Sequence, residues 1–499
     1  MGDVEREEQR APCKDHGALC VLAEGNDEAS VEPHKEAAEE ESEFAEGNPH
    51  VMQNGEEVVF HKNYSSRFHF VCAFCVWKGF CGILCAMNLP ELLAPAGDRA
   101  SFNAALKAGA DAIYIGIGRF NMRRSQDGCL HFNQIPNLVE AAHEQGVKLY
   151  VTLNTIVYQD ELPELDATIA RLKAADVDAV IACDWAVIQR AKAAGIPVHI
   201  STQMSASNAE AVKFLASQGA ERVVLARECS LADIATIVKE SGVPIEVFGH
   251  GAQCVATSGR CFLSQFAYGC SSSRGQCLQP CRRRYHIKEV SDGEERGANA
   301  EFEVGPSFIL SAKDLCTLGM LPELIEAGVA SLKIEGRARN PEYVANVIKA
   351  YRTALDAIAA GTYDEACRAK CLRLVEAVYH RPFAEGLLRG RPGQAQFTDS
   401  DANLATEKKL YLGVIRNYYA RHNVAEVLVH EGVLKPGTRL AIHGPKTGVV
   451  DFTVGPLRQD DQSPEAVERG AWATFVVPER VRPGDKVYFV VPAVPTPLR

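Results

Sequence analysis

From residue 88 onward, short apolar runs alternate with amphipathic stretches at a steady interval, and this alternation limits the possible folds more than any other feature. The apolar runs span residues 90–96, 111–117, 148–154, 178–183, 197–202, 222–227, 245–250 and 331–336. Between them lie patterns such as RASFNAALKAGA and LADIATIVKESG, in which Ala, Leu and Val recur at helical spacing. Eight such units predict an α/β fold, a TIM-like (β/α)8 barrel whose last interval is enlarged by residues 251–330.

An open, doubly wound sheet of seven strands is the structural alternative. The usual nucleotide-binding form of that fold carries G-x-G-x-x-G or G-x-x-x-x-G-K-[ST] after a strand. The sequence contains neither motif. The closed barrel is therefore the preferred prediction.

Two further amphipathic helices follow the last apolar run, at residues 340–358 and 364–379. From about residue 408 the pattern changes to short β segments such as VAEVLVH and DKVYFVV, with Gly and Pro between them. This pattern is typical of a small antiparallel β-barrel. The sequence thus predicts a barrel domain over residues 87–390 and a second, all-β domain over residues 408–499.

The first 86 residues differ from the rest of the chain. Residues 1–60 hold 17 acidic and 4 basic side chains, which leaves 47 acidic and 49 basic side chains in the remainder. Such a composition predicts a disordered acidic and Cys-rich extension, because it offers little apolar surface to bury. A metal or redox patch is the alternative there, on Cys72, Cys75, Cys81 and Cys85. Since the folded part is nearly neutral, the overall acidity does not argue against a nucleic-acid partner.

The chain has 17 cysteines but no signal-peptide pattern and no apolar run of 18 residues. We therefore expect a cytoplasmic protein that does not enter a membrane. In a reducing compartment, clustered cysteines are more often metal ligands or catalytic thiols than disulfides.

The most specific motif is a cysteine loop at residues 251–285. Four of its cysteines follow a C-x6-C-x15-C-x3-C pattern, with Cys270 as a spare: Cys254, Cys261, Cys277 and Cys281. Four soft thiolates suit tetrahedral zinc or an iron–sulfur cluster, and the wide spacings favour an object larger than one ion. Inert buried thiols are the alternative. Three arginines, residues 282–284, follow the last cysteine and predict either a solvated face or phosphate contacts to RNA.

Polar or charged residues close most of the apolar runs. In a parallel barrel the strands end at the active-site mouth, so these side chains predict a polar, partly cationic pocket next to the cysteine loop. The residues are Arg119, Asn154, Asp184, Gln203, Arg227, His250 and Glu335, with Lys333 two positions before Glu335.

Several motifs, in order, resemble those of the peptidase U32 family. They are ELLAPAG, GADAIYIG, STQMSASN, VVLARE, the FGHGAQCVATSGRC…GQC…PCR block, SAKDL and SLKIEGRARNPEYVANV, and together they cover roughly residues 88–390. The resemblance implies a TIM-like barrel with a four-iron four-sulfur (4Fe-4S) cluster on the four loop cysteines. It also implies an oxygen-independent hydroxylase that takes its oxygen from prephenate.

One branch of the family, with the same barrel and a C-terminal β-domain, hydroxylates C5 of the wobble uridine of tRNA, and residues 408–499 favour that branch. Other relatives act on a ribosomal RNA cytidine or on a ubiquinone precursor. The family's older description as a collagenase-like peptidase is a second functional alternative, although the sequence has no H-E-x-x-H or G-x-S-x-G motif. The expected partner is tRNA, and no DNA partner is expected.

For the pocket we expect a small dianionic carboxylate such as prephenate. The candidate binding residues are Asn154, Gln203, Arg227 and Arg337, and the candidate catalytic residues are Glu335, His250 and Lys333, of which His250 and Lys333 are also candidate anion partners. Glu335 is the candidate for proton transfer, with an ion pair to Lys333 or Arg337 as the structural alternative.

Overall fold

The computed structural model describes residues 88–123, 130–285, 287–288, 301–302, 310–390, 393–398, 403–460 and 462–493. The predicted disordered extension at residues 1–86, with its possible cysteine patch, lies outside the described residues. Among the helices that are described, none is both long and apolar enough to cross a lipid bilayer.

Eight parallel strands close into a barrel in chain order. They are β1 (Glu91–Ala96), β2 (Ala112–Gly116), β3 (Lys148–Leu153), β4 (Ala179–Ala182), β5 (Val198–Ile200), β6 (Ala220–Val224), β7 (Ile245–Ala252) and β11 (Ser331–Ile334). The ring closes because β11 pairs in parallel with both β1 and β7. The predicted TIM-like barrel is confirmed, and each of the eight predicted runs overlaps one barrel strand.

Helices follow the barrel strands and form an outer layer. They are α1 (Arg99–Lys107), α2 (Ile135–His143), α3 (Leu162–Ala174), α4 (Trp185–Ala193), α5 (Ala209–Ser217), α6 (Leu231–Ser241), α7 (Leu263–Tyr268), α8 (Leu321–Glu326), α9 (Pro341–Ala359) and α10 (Glu365–Glu376). Several begin at a side chain that accepts a hydrogen bond from the first turn, for example Asp98 from the Ser101 amide and Asn340 from the Tyr343 amide. Such caps satisfy amides that would otherwise lack a partner, and so they fix where a helix starts.

The barrel buries two apolar layers because successive strand residues face opposite sides. The larger layer lies between strands and helices and includes Leu92, Ile113 and Val151. Alternate residues form the smaller cluster of Leu93, Ala112, Tyr114, Tyr150, Ala179 and Ile181. This second cluster supports the pocket from below.

The enlarged interval between β7 and β11 holds the cysteine loop, α7, a small hairpin and one further strand. The hairpin is β8 (Ile287–Lys288) with β9 (Glu301–Phe302), and β10 (Asp314–Cys316) pairs antiparallel with the end of β7. After α10, β12 (Phe383–Ala384) adds to β10 in parallel. The buried ion pair of Asp314 with Arg381, at 3.0 Å, holds this addition in place.

The C-terminal region forms a six-stranded antiparallel sheet with its own core. Its strands are β13 (Glu407–Tyr419), β14 (Val424–Val429), β15 (Arg439–Gly444), β16 (Gly448–Thr453), β17 (Trp472–Val476) and β18 (Lys486–Pro492), in the spatial order β16-β15-β18-β13-β14-β17. All six contribute buried residues to one hydrophobic cluster. The sheet contacts the barrel at α1 and α9, where Lys409 pairs with Glu342 and the Asn103 side-chain amide donates to the Pro445 carbonyl at 2.6 Å.

Candidate active site

A cavity of about 140 Å³ opens at the carboxyl ends of the barrel strands, beside the cysteine loop. Five cationic side chains line it: Arg123, Arg227, Arg282, Lys333 and Arg337. Glu335 is the one carboxylate in the described part of its lining, and no histidine is found among those lining residues. The cavity is therefore strongly cationic, and it lies where the barrel architecture places active sites.

All four motif cysteines line this same cavity, and Cys270 does not. Burial raises the pKa of the Cys281 thiol, and the neighbouring Cys254, Cys277 and Cys261 raise it further, which shows that the thiols lie within electrostatic reach of one another. Cys254 is exposed, while the other three are half-buried.

Two kinds of metal centre use thiolate ligands: a single zinc ion and an iron–sulfur cluster. In the described part of the chain, no group of three or more His, Cys, Asp or Glu side chains is arranged to hold a single metal ion. Four thiols around one cavity are nevertheless the ligands that an iron–sulfur cluster requires. The number and type of these side chains fit such a cluster.

Arginine side chains fix the cysteine loop to the barrel. Arg282 donates to the Ser311 hydroxyl at 3.0 Å and to the Ala312 carbonyl at 2.6 Å, and it also bonds the Gln253 carbonyl. Arg274 forms an ion pair with the buried Glu161, which precedes α3. Arg282 therefore joins the cysteine loop to the segment before β10, whereas the side chains of Arg283 and Arg284 are exposed.

Two backbone positions in the same loop are strained. Ser258 has φ 44° and ψ 29°, and Gln279, between two of the cysteines, has φ 54° and ψ 49°. Left-handed conformations of non-glycine residues persist where the surroundings hold them, and they concentrate at functional sites. At Ser258 the Glu228 carboxylate supplies that support, because it accepts from both the amide (2.8 Å) and the hydroxyl (3.1 Å).

Glu335 is an ionised carboxylate in a cationic setting. Arg123 donates to Oε1 at 3.3 Å, and the Tyr114 hydroxyl lies 3.4 Å from Oε2. Burial alone would raise the pKa of Glu335, but the positive charges of Arg123, Arg227 and Arg337 outweigh it and the pKa is lowered. At neutral pH this group is able to accept a proton and is not a proton donor.

Arg227 is a cavity cation whose guanidinium contacts an aromatic ring. Its guanidinium lies over the Phe248 ring, 4.1 Å from the centroid. Its Nε is buried without a hydrogen-bond partner among the described residues. A buried N–H without a partner costs about 1–3 kcal/mol, so this edge of the guanidinium is suited to an anionic ligand.

Lys333 and Arg337 line the cavity but are already engaged. Lys333 is 6% exposed, donates to Glu246 Oε1 at 2.9 Å, and has its pKa lowered by burial. Arg337 donates to the Thr152 hydroxyl at 2.6 Å. Gly116 is necessary for this approach, because a Cβ at that position would lie 2.2 Å from Arg337 Nη1.

The two predicted amide residues also face the cavity. Asn154 accepts from the Met122 amide through Oδ1 at 3.2 Å. Gln203 bonds the Ser201 hydroxyl through Oε1. Of the predicted noncysteine site residues, Asn154, Gln203, Arg227, Lys333, Glu335 and Arg337 are brought together.

His250 lies elsewhere. It is 1% exposed and packs against the rings of Tyr343, Tyr351 and Phe383 at centroid distances of 6.1, 5.6 and 5.4 Å, on the side of α9. The physical reason is a register shift in β7, where Lys333 pairs with Phe248 and Ile334 with His250. Phe248 faces the cavity as regular alternation requires, and the extra residue after it, Gly249, reverses the alternation so that His250 faces the helices.

Two other strand-end residues have structural roles. Arg119 forms ion pairs with Glu161 and Glu164. Asp184 caps α4 by accepting from the Ala186 amide at 2.8 Å and also accepts from the Val157 amide. Neither lines the cavity in the described structure.

Sequence reasoning missed Arg123, Tyr114 and Phe248. Tyr114 and Phe248 lie inside apolar runs, and their aromatic character gave no polar signal. Arg123 follows β2 in the segment NMRRSQ, where a basic pair just beyond a strand end was the available signal. Each of the three contacts a charged cavity residue.

The similarity of this chain to known proteins identifies its family. A family model described as peptidase family U32 matches residues 97–398. The chain belongs to the U32 peptidase family. The resemblance stated from the sequence motifs is thereby confirmed.

Relatives of this chain carry two kinds of name, for collagenase and for RNA hydroxylation. A collagenase of Porphyromonas gingivalis is 37% identical over 409 residues, which cover 80% of this chain and 97% of the relative. The tRNA hydroxylation protein P1 of Bacillus subtilis is 34% identical and covers 74% of this chain and 87% of its own. The 23S rRNA 5-hydroxycytidine C2501 synthase of Escherichia coli is 38% identical, over 62% of this chain and 47% of its own.

Proposed function

We propose that this U32 family member is an RNA hydroxylase that forms 5-hydroxyuridine at the wobble position of tRNA, independently of molecular oxygen and with prephenate as oxygen donor. The observation that carries the proposal is that the four thiols and the five cations line one cavity. In the proposal, a thiolate-bound redox group and an anion-binding pocket therefore lie side by side. Relatives named for tRNA hydroxylation and for 5-hydroxycytidine synthesis support the RNA substrate class.

Cys254, Cys261, Cys277 and Cys281 are the residues that would hold the 4Fe-4S cluster, which supplies one-electron chemistry when bound. In the proposal Arg227 binds a carboxylate of the donor through parallel hydrogen bonds, and the amides of Asn154 and Gln203 orient the donor's polar groups. The cationic lining matches a dianion better than a neutral or cationic molecule.

In the proposal, transfer of a hydroxyl group to C5 forms the C5–O bond and breaks the donor's C–O bond, whose electron pair stays on the donor fragment, while C5 gives up its proton. Glu335 is the group that would accept it, because its carboxylate is held ionised by Arg123, Arg227 and Arg337. Lys333, with its charge balanced by Glu246, positions the floor of the cavity. His250 has no part in this scheme, because it does not face the cavity.

A peptidase activity is the competing function, and the names of relatives such as the Porphyromonas collagenase are what favour it. The described cavity lining offers no histidine beside a serine or cysteine, which an activated nucleophile of that kind would need. An rRNA cytidine or a ubiquinone precursor as substrate would retain the same site; nucleoside analysis of rRNA and analysis of the host's quinones, beside that of tRNA, separate these possibilities.

The test is nucleoside mass spectrometry of tRNA from a bacterial host that lacks its own wobble-uridine hydroxylases and expresses this chain. The expected result is 5-hydroxyuridine that disappears when the host cannot make prephenate. Hydroxylation that persists without prephenate would overturn the donor assignment. Hydroxylated rRNA or quinone in place of tRNA would overturn the substrate assignment.

A further inference from the structure

The cysteine loop exposes aromatic side chains beside the cavity. Phe266 is 83% exposed, Phe262 63% and Tyr268 38%, and the two phenylalanine rings lie 5.8 Å apart. Exposed apolar side chains that lie together on a protein surface often mark an interaction site. We call Phe262, Phe266, Tyr268 and Arg283 the loop platform.

The local fold holds these rings outward. Ser264, within α7, is 1% exposed, and its hydroxyl accepts from the Leu278 amide at 3.0 Å. The Phe266 amide donates to the Phe262 carbonyl at 2.9 Å, so the two rings are neighbours one helical turn apart. The inner face of this turn is fixed to the loop, and the outer face has its rings in solvent.

The charge of the loop is of one sign. Residues 251–285 contain five arginines and no aspartate or glutamate. Arg274 and Arg282 are engaged within the fold, and the three exposed ones are Arg260, Arg283 and Arg284. The Arg283 guanidinium lies 5.2 Å from the centre of the Tyr268 ring, and Arg260 is exposed nearby in sequence. Rings interleaved with cations match a strand of unpaired nucleotides, whose bases stack while the phosphates meet the arginines.

The platform is also continuous with the cavity, because Leu263 and Ser264, which follow Phe262 directly, belong to the cavity lining. We propose that the loop platform stacks unpaired bases of the RNA substrate next to the nucleotide that enters the cavity. This inference rests on the proposed function and adds to it the residues that hold the bases next to the target nucleotide. A polyanion suits an all-basic surface better than a protein partner of mixed charge.

The test uses the full chain and a fluorescein-labelled RNA hairpin with a uridine-containing single-stranded loop, with the same sequence as a full duplex for comparison. Loss of a stacked base costs roughly 5- to 150-fold in affinity, so Phe262→Ala with Phe266→Ala should weaken hairpin binding by at least the lower factor. Phe266→Trp, which keeps a stacking ring, should bind the hairpin like the unaltered chain. Arg283→Gln should reduce the salt dependence of binding by about one phosphate contact. Phe214→Ala, at a phenylalanine 56% exposed on α5, is the matched control and should bind like the unaltered chain.

The outcomes separate this inference from the proposed function. Hairpin binding that survives the double substitution, while tRNA hydroxylation by the unaltered chain is intact, overturns the platform alone. Equal affinity for hairpin and duplex also overturns it. An unaltered chain that neither binds nor hydroxylates RNA overturns the proposed function itself. A dimer that the double substitution converts to monomer, with RNA binding unchanged, would make the platform a contact between copies.

Discussion

Replacement of Arg227 by lysine tests the anion site, because it keeps the charge and removes the planar fork of donors. The guanidinium stacks at 4.1 Å on Phe248, and its buried Nε has no hydrogen-bond partner within the part of the chain that the structure describes. A hydrogen bond to a charged group contributes about 1.5–3 kcal/mol, and a partly buried cation–π contact about 0.5–2 kcal/mol. Loss of one such bond and of part of the stacking amounts to about 2–4 kcal/mol.

This loss corresponds to a decrease of roughly 30- to 900-fold in kcat/KM for the carboxylate donor. The assay is hydroxylation of tRNA by anaerobically purified protein over a range of donor concentrations. Iron content is measured in the same samples, so that loss of the cluster is recognised. Arg190→Lys is the matched control, since Arg190 lies on the outer helix α4 and pairs with Asp166. If Arg227→Lys stays within about twofold of this control, the assignment of Arg227 to a carboxylate is refuted.

Three further predictions follow from the geometry. Gly116→Ala should displace Arg337, because the new Cβ would lie 2.2 Å from Nη1; we expect a higher KM for the donor with unchanged iron content, and an unchanged KM would contradict the role of Arg337. Burial lowers the pKa of His250 from 6.5 to about 3, so its contribution to stability is complete above pH 6.5 and is lost as pH falls toward 3. Urea unfolding at about pH 5 should show about 2 kcal/mol less stability from this group, and His250→Asn should flatten the pH dependence while His143→Gln should not. Single serine substitutions at Cys254, Cys261, Cys277 and Cys281 should each remove most of the iron. Cys270→Ser is the control and should keep it.

The barrel was predictable because strand and helix periodicities are local properties of the sequence. Runs such as residues 112–117 are continuous and apolar, and they match strands buried on both faces, as parallel barrels require. The site was predictable where a polar residue ends such a run, as at Asn154 and Arg227. Lys333, a predicted anion partner, is a charge inside a buried strand and has a structural partner in Glu246, which the sequence pattern does not reveal.

His250 shows where this reasoning stops. Side-chain direction along a strand depends on an unbroken alternation, and the register shift beside Gly249 depends on pairing with β11, more than 80 residues away. Arg282 illustrates the same limit, because its hydrogen bonds to Ser311 and Ala312 come from a segment distant in sequence. Periodicity predicts elements, but long-range pairing decides which polar groups a cavity receives.

The most direct test of the central claim, that the thiols and the cationic pocket form one hydroxylation site, is the yield of 5-hydroxyuridine in host tRNA for matched variants. Cys277→Ser and Arg227→Met should each abolish the product, while Cys270→Ser and Arg190→Lys should keep it. With the unaltered chain, 5-hydroxyuridine should also vanish from the tRNA of a host whose prephenate synthesis is blocked. Full product from both Cys277→Ser and Arg227→Met, or cleavage of collagen peptides by an iron-loaded chain that makes no hydroxylated nucleoside, would contradict the account.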